Sequence, residues 1–189
     1  MALQTPICDF GKKAPDFSLK STQNKIISLN DIKGKKGTLI MFICNHCPYV
    51  VATIKDIVDT CKELEKEGIK SIAIMSNDPT DYPEDSFDNM IKFAEKYNFG
   101  FPYVYDEDQS VGKNYDAVCT PDFFGYNGNL ELQYRGRIYE LNNEVRPRVR
   151  KENSQNDLLN AMLQISENGE GPKNQVPSLG CSIKWRDNR

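Results

Sequence analysis

The chain has 189 residues, a formal net charge of −3 and a pI near 5.3. That length, within the ~100–200 residues of a typical domain, sets the expectation of one domain over residues 1–189, with 167–189 as a C-terminal tail. Slight acidity argues against nucleic acid or an acidic membrane surface as partner, and no run reaches the ~18 apolar residues of a membrane span.

The opening "MALQTPICDFGKKAPDF" lacks the basic lead and apolar core of a signal peptide, so a cytoplasmic location is expected. Six cysteines then fit a disulfide framework poorly, because such frameworks belong to short chains in oxidising compartments. Cysteines close in sequence in a reducing compartment point to catalysis or metal binding.

"ISLNDIKGKKG" reads as a short strand, a helical turn and a glycine-punctuated connection. "TLIMFIC" (38–44) is apolar without alternation, the pattern of a strand buried on both faces of a parallel sheet. Pro48 suits the first turn of a helix, where its missing N–H costs nothing. Val50, Ile54, Ile57, Val58, Cys61 and Leu64 then form one apolar stripe, and Gly68 closes the helix. "IKSIAIM" (69–75) completes a strand–helix–strand unit with parallel strands.

After the loop "SNDPTDYPED", a helix capped by Asp85 or Ser86 presents Phe87, Met90, Ile91 and Ala94 on one face. "FPYVYD" is a short strand and "EDQSVGKNY" a short helix. "DFFGYNGNLELQYRG" reads as a hairpin, with Asn127-Gly128 predicted as a two-residue turn. Residues 154–165 form a last helix, followed by an irregular tail. This order is that of an α/β protein with a thioredoxin-like fold: three layers, α/β/α, around a central mixed sheet.

The chemistry concentrates in "FICNHCPYV". Cys47, just before Pro48, falls at the N-cap of the long helix, where unpaired N–H groups and the helix dipole favour an anion. A thiolate is the reactive form of cysteine, and a helix N-terminus lowers its pKa. His46, if protonated nearby, would add to this. Cys44 sits where the strand ends, within a loop's reach of Cys47. The pair can be read as two core cysteines, as part of a metal site, or as redox thiols. Structural zinc wants four ligands, and Cys44, His46 and Cys47 supply three crowded into four residues. Placement between a buried strand and a Pro-led helix favours redox chemistry, with no metal and no organic cofactor. Thr120-Pro121, ahead of the hairpin, marks a tight turn in which a cis bond is one option.

Of the remaining cysteines, Cys61 on the helix stripe reads as a buried structural thiol and Cys8 as a bystander. Cys119 is read as core, with proximity to Cys47 as the alternative. Cys181 is either a resolving thiol folded over the site or part of a structural tail anchored by Trp185. The arginine-rich run "YRGRIYELNNEVRPRVRK" reads as a solvated loop.

Together these stretches resemble the redoxin superfamily of alkyl hydroperoxide reductase/thiol-specific antioxidant proteins and their thioredoxin-like relatives. "GKKAPDFSL" is similar to the family's opening segment and "TLIMFICNHCPYV" to its active-site strand and helix start. The likeness is greatest to a peroxiredoxin-like group with "CNHCPYV", "SNDPTDYPEDSFDNM", "VCTPDFF" and "PSLGCSIKW". The resemblance implies that Cys47 is the attacking thiol, in the place of the peroxidatic and the first thioredoxin cysteine. Cys44 stands where peroxiredoxins keep a threonine, and Thr120-Pro121 resembles the cis-proline loop of thioredoxins, a substrate-binding element. The second thioredoxin cysteine is replaced by Val50, and the peroxiredoxin arginine is missing from its place.

The resulting expectation is a thiol–disulfide oxidoreductase in which Cys47 attacks and Cys44 resolves. Its partners would be thiols or disulfides, with peroxides as alternative substrates, and electrons would come from a thioredoxin- or glutathione-type donor. A thiol peroxidase is the alternative within the class. A redox-inactive binding module or a metal-binding protein on the same fold is the alternative outside it.

Overall fold

The computed structural model describes residues 1–186. Its centre is a seven-stranded mixed sheet in the order β3-β2-β6-β5-β4-β8-β9. The strands are β2 (Ser18–Ser21), β3 (Ile26–Ser28), β4 (Gly37–Phe42), β5 (Ile69–Met75), β6 (Tyr103–Tyr105), β8 (Asp122–Asn127) and β9 (Leu132–Tyr134). β4 lies parallel to β5, with Gly37 opposite Ile69 and Phe42 opposite Ile74, and antiparallel to β8 on its other side.

All six residues of β4 are buried, which explains why its sequence shows no alternation: both faces are covered. Leu39 and Met41 point into one core with Ile54, Ile57 and Leu64. Ile40 and Phe42 point into the other with Phe17, Tyr115 and Phe124. Each fully buried aliphatic or aromatic side chain contributes about 1.5–3 kcal/mol, so these two cores anchor the strand that carries the cysteines. The three layers are unequal. Residues of α1 (Pro48–Lys66), α2 (Phe87–Lys96) and α4 (Asp157–Asn168) pack on the first core, while the second is covered by the short α3 (Ser110–Asn114) and extended segments.

Helix α1 runs as its stripe predicts. Cys47 is the N-cap with an extended backbone, Pro48 begins the helix, and Gly68 follows it at φ +80°, the left-handed geometry that favours glycine.

Four expectations are corrected. The hairpin turn is not a two-residue Asn127-Gly128 loop. Residues 128–130 form the loop, with Leu130 at φ 58° and its N–H bonded to the Asn127 carbonyl. Gly128 is required for space, since a Cβ there would lie 2.7 Å from the Lys35 carbonyl oxygen.

The arginine-rich run is not a solvated loop throughout. Arg135, Ile138 and Tyr139 are buried, and Leu141–Asn142 (β10) pairs with Val149–Arg150 (β11). Cys8, read as a bystander, packs partly buried against the second core.

Most consequentially, the tail is not irregular to its end. Leu179–Ser182 forms β12, sandwiched between β1 (Ala2–Gln4) and β7 (Cys119–Thr120) in a separate three-stranded sheet. No local pattern announces this strand, because its partners lie far off in the chain, β1 at the opposite end and β7 in the middle.

Candidate active site

Strand β4 ends at Phe42, two residues earlier than its apolar run suggests, and the backbone bends at Asn45 and His46 before α1 begins. The bend turns Cys44 back toward the helix start. The Thr120–Pro121 peptide is cis, and Thr120 becomes the meeting point of three thiols. The Cys47 thiol donates to the Thr120 carbonyl at 3.0 Å, and Cys44 Sγ lies 3.2 Å from the Thr120 hydroxyl. Cys181 is the antiparallel partner of Thr120 across the β12–β7 ladder. All six cysteines are free thiols; Cys44 and Cys47 are buried, while Cys181 is partly exposed.

The electrostatics of the three are unequal. Hydrogen bonds from the Cys181 thiol, then from the Cys44 thiol, and from the Val50 backbone N–H stabilise a Cys47 thiolate and lower its pKa, against the opposing effect of burial. Burial pushes the Cys44 thiol up, and the hydrogen bond to Cys47 does the same for Cys181. Of the three thiols, Cys47 is the one that gives up its proton most readily, and on doing so it loses its hydrogen bond to the Thr120 carbonyl.

Further polar groups hold the 44–47 loop. Asp85, fully buried, accepts from the Asn45 N–H at 2.8 Å and from Asn77 Nδ2 at 2.8 Å, and sits 2.7 Å from His46 Nδ1. Asn45 in turn donates to the Glu84 carbonyl and accepts from the Tyr103 hydroxyl. His46 stacks on Tyr82, with ring centroids 4.6 Å apart and planes 10° from parallel. Its pKa is raised, chiefly by the hydrogen bond to Asp85, with burial opposing. His46 is therefore neither idle nor simply solvent-facing: it is clamped between Tyr82 and Asp85, with Nδ1 3.9 Å from Cys44 Sγ.

Of the two cap residues that the sequence offers for α2, Asp85 has another role. Its position before α2 suggested a helix cap, yet Ser86 occupies the N-cap and the Asp85 carboxylate faces the cysteine loop. The signal available was an acid in a polar run; its targets, Asn45 and His46, lay 40 and 39 positions away.

Cys44, His46 and Asp85 also place one sulfur, one nitrogen and one oxygen within 4.8 Å of one another. This is a donor set of the kind that catalytic zinc sites use with a fourth position open. A metal there would have to displace the His46–Asp85 contact.

The expected substrate element is only partly open. Pro121 lines a groove of about 260 Å³ together with Tyr49, Ile138, Tyr139 and Leu179. The backbone of Thr120, however, is occupied by β12 rather than presented to solvent. Cys119 is buried, its thiol 3.7 Å from the Pro121 carbonyl, and burial raises its pKa. Cys61 is buried on α1, pushed up to about 12 by desolvation, as a structural thiol would be. The arginines near this half of the molecule are engaged elsewhere: Arg135 with Asp122, Arg137 with Asp157, and Arg148 with the Tyr49 ring and hydroxyl.

A free thiol at a helix N-terminus, beside a cis-proline loop in a thioredoxin-like sheet, is the arrangement of the peroxiredoxin-like thiol oxidoreductase class. The chain belongs to the AhpC/TSA family, which it matches over residues 10–140. It is similar to the thiol-disulfide oxidoreductase ResA of Bacillus subtilis, 28% identical over 114 residues, covering 60% of this chain and 59% of that protein. It is also similar to the chloroplastic peroxiredoxin Q of Populus jackii, 25% identical over 115 residues, covering 61% and 49%. The chain spans 59% and 49% of the length of these two relatives. Among solved structures, an uncharacterised conserved protein from Geobacillus kaustophilus superposes with a TM-score of 0.87 at 39% identity. That match covers 98% of this chain and 97% of the other. No helix among the described residues is long and apolar enough to cross a membrane.

Proposed function

We propose that the protein is a cytoplasmic thiol–disulfide oxidoreductase of peroxiredoxin-like type. The Cys47 thiolate attacks an oxidised sulfur, a mixed intermediate forms, and Cys44 displaces it to close a Cys44–Cys47 disulfide. A thioredoxin- or glutathione-type donor then restores the dithiol. The observation that carries this reading is the convergence of Cys44 and Cys47 on the two oxygens of Thr120, at the N-terminus of α1.

A second reading, thiol peroxidase, is favoured by one feature: Cys47 is fully buried and the Thr120 edge is filled by β12. Such enclosure suits a small oxidant better than an extended peptide. Against it, the alkoxide leaving a cleaved peroxide needs donors aimed at it, and the nearby arginines serve other partners.

The deciding experiment measures insulin disulfide reduction and hydrogen peroxide consumption side by side with the same reductant. Both activities should vanish in Cys47→Ser. Retention of either in that variant would remove Cys47 from the role of nucleophile.

A further inference from the structure

Strand β12 occupies the backbone edge on which an extended thiol substrate would lie beside the cis-proline, and it carries a cysteine at the register position opposite Thr120. The approach is close and specific. Gly180, the residue before that cysteine, has no room for a Cβ, which would sit 2.2 Å from the Thr120 carbonyl oxygen. That oxygen is the one accepting the Cys47 thiol proton.

Strand β12 is also firmly held. Ser178 exchanges hydrogen bonds with Thr5 and donates its hydroxyl to the Pro121 carbonyl. Beyond the strand, the Lys184 N–H donates to Asn77 Oδ1, and Asn77 also contacts Asp85. The third thiol is therefore part of the built site rather than a passing tail residue.

We propose that Cys181 is a third redox thiol, which takes over the disulfide from Cys44 and presents it to the external reductant. The inference rests on the reading of Cys47 as the redox nucleophile.

The exchange is balanced without any added oxidant. Cys181 sulfur attacks Cys47 Sγ, the Cys47–Cys181 bond forms as the Cys44–Cys47 bond breaks, and Cys44 leaves with the electron pair. Cys44 then takes up the proton that Cys181 gave up. Its high pKa, set by burial, returns it to the neutral thiol. The reductant next attacks the partly exposed Cys181 sulfur, and Cys47 departs as the thiolate. Exchange is fastest when the leaving thiol has the lower pKa, and Cys47 is the member of the cluster whose pKa is lowered. Cys44 alone, fully buried, offers an incoming thiol no such access.

The test oxidises wild type, Cys44→Ser and Cys181→Ser with hydrogen peroxide or diamide, alkylates them, and maps disulfides in a non-reduced digest by mass spectrometry. A Cys47–Cys181 crosslink is expected in wild type and as the main product in Cys44→Ser, a variant that leaves β12 untouched. In Cys181→Ser only the Cys44–Cys47 bond should form, and its reduction by dithiothreitol should slow by roughly tenfold or more, because the disulfide is then shielded. If Cys44→Ser yields oxidised Cys47, as a sulfenic or sulfinic acid, while Cys181 remains alkylated, the proposal is overturned and the functional reading survives. If Cys47 stays unoxidised in wild type, both fall.

Discussion

Two buried carboxylates flank the thiol cluster, and they show how burial alone does not define a role. Asp122, at the start of β8, is engaged by the Arg135 guanidinium through Nη2 at 2.9 Å and Nε at 3.3 Å, and by the Val118 N–H. Asp85 is equally inaccessible, yet its partners are two neutral N–H groups and a histidine that remains partly exposed. The Asp122 pair is closed, carboxyl against guanidinium, with Arg135 also donating to the Asp116 carbonyl and lying over Phe124. It ties β8 to the chain beyond β9. The Asp85 arrangement is open: among the described residues its ion-pair partner is His46, a group that gains and loses a proton near neutrality. One acid serves the fold, and the other ties the cysteine loop to a histidine whose pKa it raises.

Removing Asp122 should give the largest effect. Asp122→Ala would leave a buried guanidinium unpaired at a cost of about 3–5 kcal/mol. At ~2–4 °C per kcal/mol for a chain of this size, a fall in Tm of about 10 °C is expected by calorimetry. The Cys47 alkylation rate in the folded variant should stay close to wild type. Adding Arg135→Met should recover most of the lost stability, and a double variant no better than the single would show that the ion pair is not the cause.

Asp85→Asn should cost less, about 1–3 kcal/mol, since shape is kept and one donor–acceptor match is lost. Its signature lies in pH rather than in magnitude. His46 has a folded pKa raised above its ordinary ~6.5, so the His46–Asp85 contribution is fully present below about pH 6.5. It fades as pH rises through the folded value. The difference in Tm between wild type and Asp85→Asn should therefore shrink from acid to alkaline pH. His46 is the sole histidine of the chain, so its NMR titration is unambiguous and should move down in the variant. A stability difference that is flat with pH would mean that Asp85 holds the loop through Asn45 and Asn77 alone.

Lys184 gives the finest adjustment. Its ammonium lies 5.2 Å from the Tyr82 ring that stacks on His46, and its charge lowers the His46 pKa slightly. Lys184→Met should raise the His46 titration by a small amount and leave Tm within about 0.5 kcal/mol equivalent of wild type. A downward movement would mean that Lys184 acts on His46 through packing rather than charge.

Much of this was legible before any coordinates. Cys47 at the N-cap, Pro48 opening the helix and the stripe ending at Leu64 follow from spacing and from the chemistry of helix ends. The Thr120-Pro121 turn also lies where its residues suggested. Asp85 was legible only as a charged residue near a helix start, and Arg135 only as one of several arginines. Leu179–Ser182 offered four residues with no period to read. In each of these cases the decisive partner is remote: Asn45 and His46 for Asp85, Asp122 for Arg135, and Thr120 for Cys181.

By itself, then, the sequence determined the strand–helix–strand unit and the position of Cys47 upon it, because apolar spacing and capping act over a few residues and are written locally. Only the tertiary structure decided that a C-terminal strand would fill the edge beside Pro121, that Cys181 would join Cys44 and Cys47 around Thr120, and that Asp85 would turn inward to His46. Those contacts depend on how distant segments register against one another in the sheet. That register is set by the packing of both cores together rather than by any stretch of residues read alone.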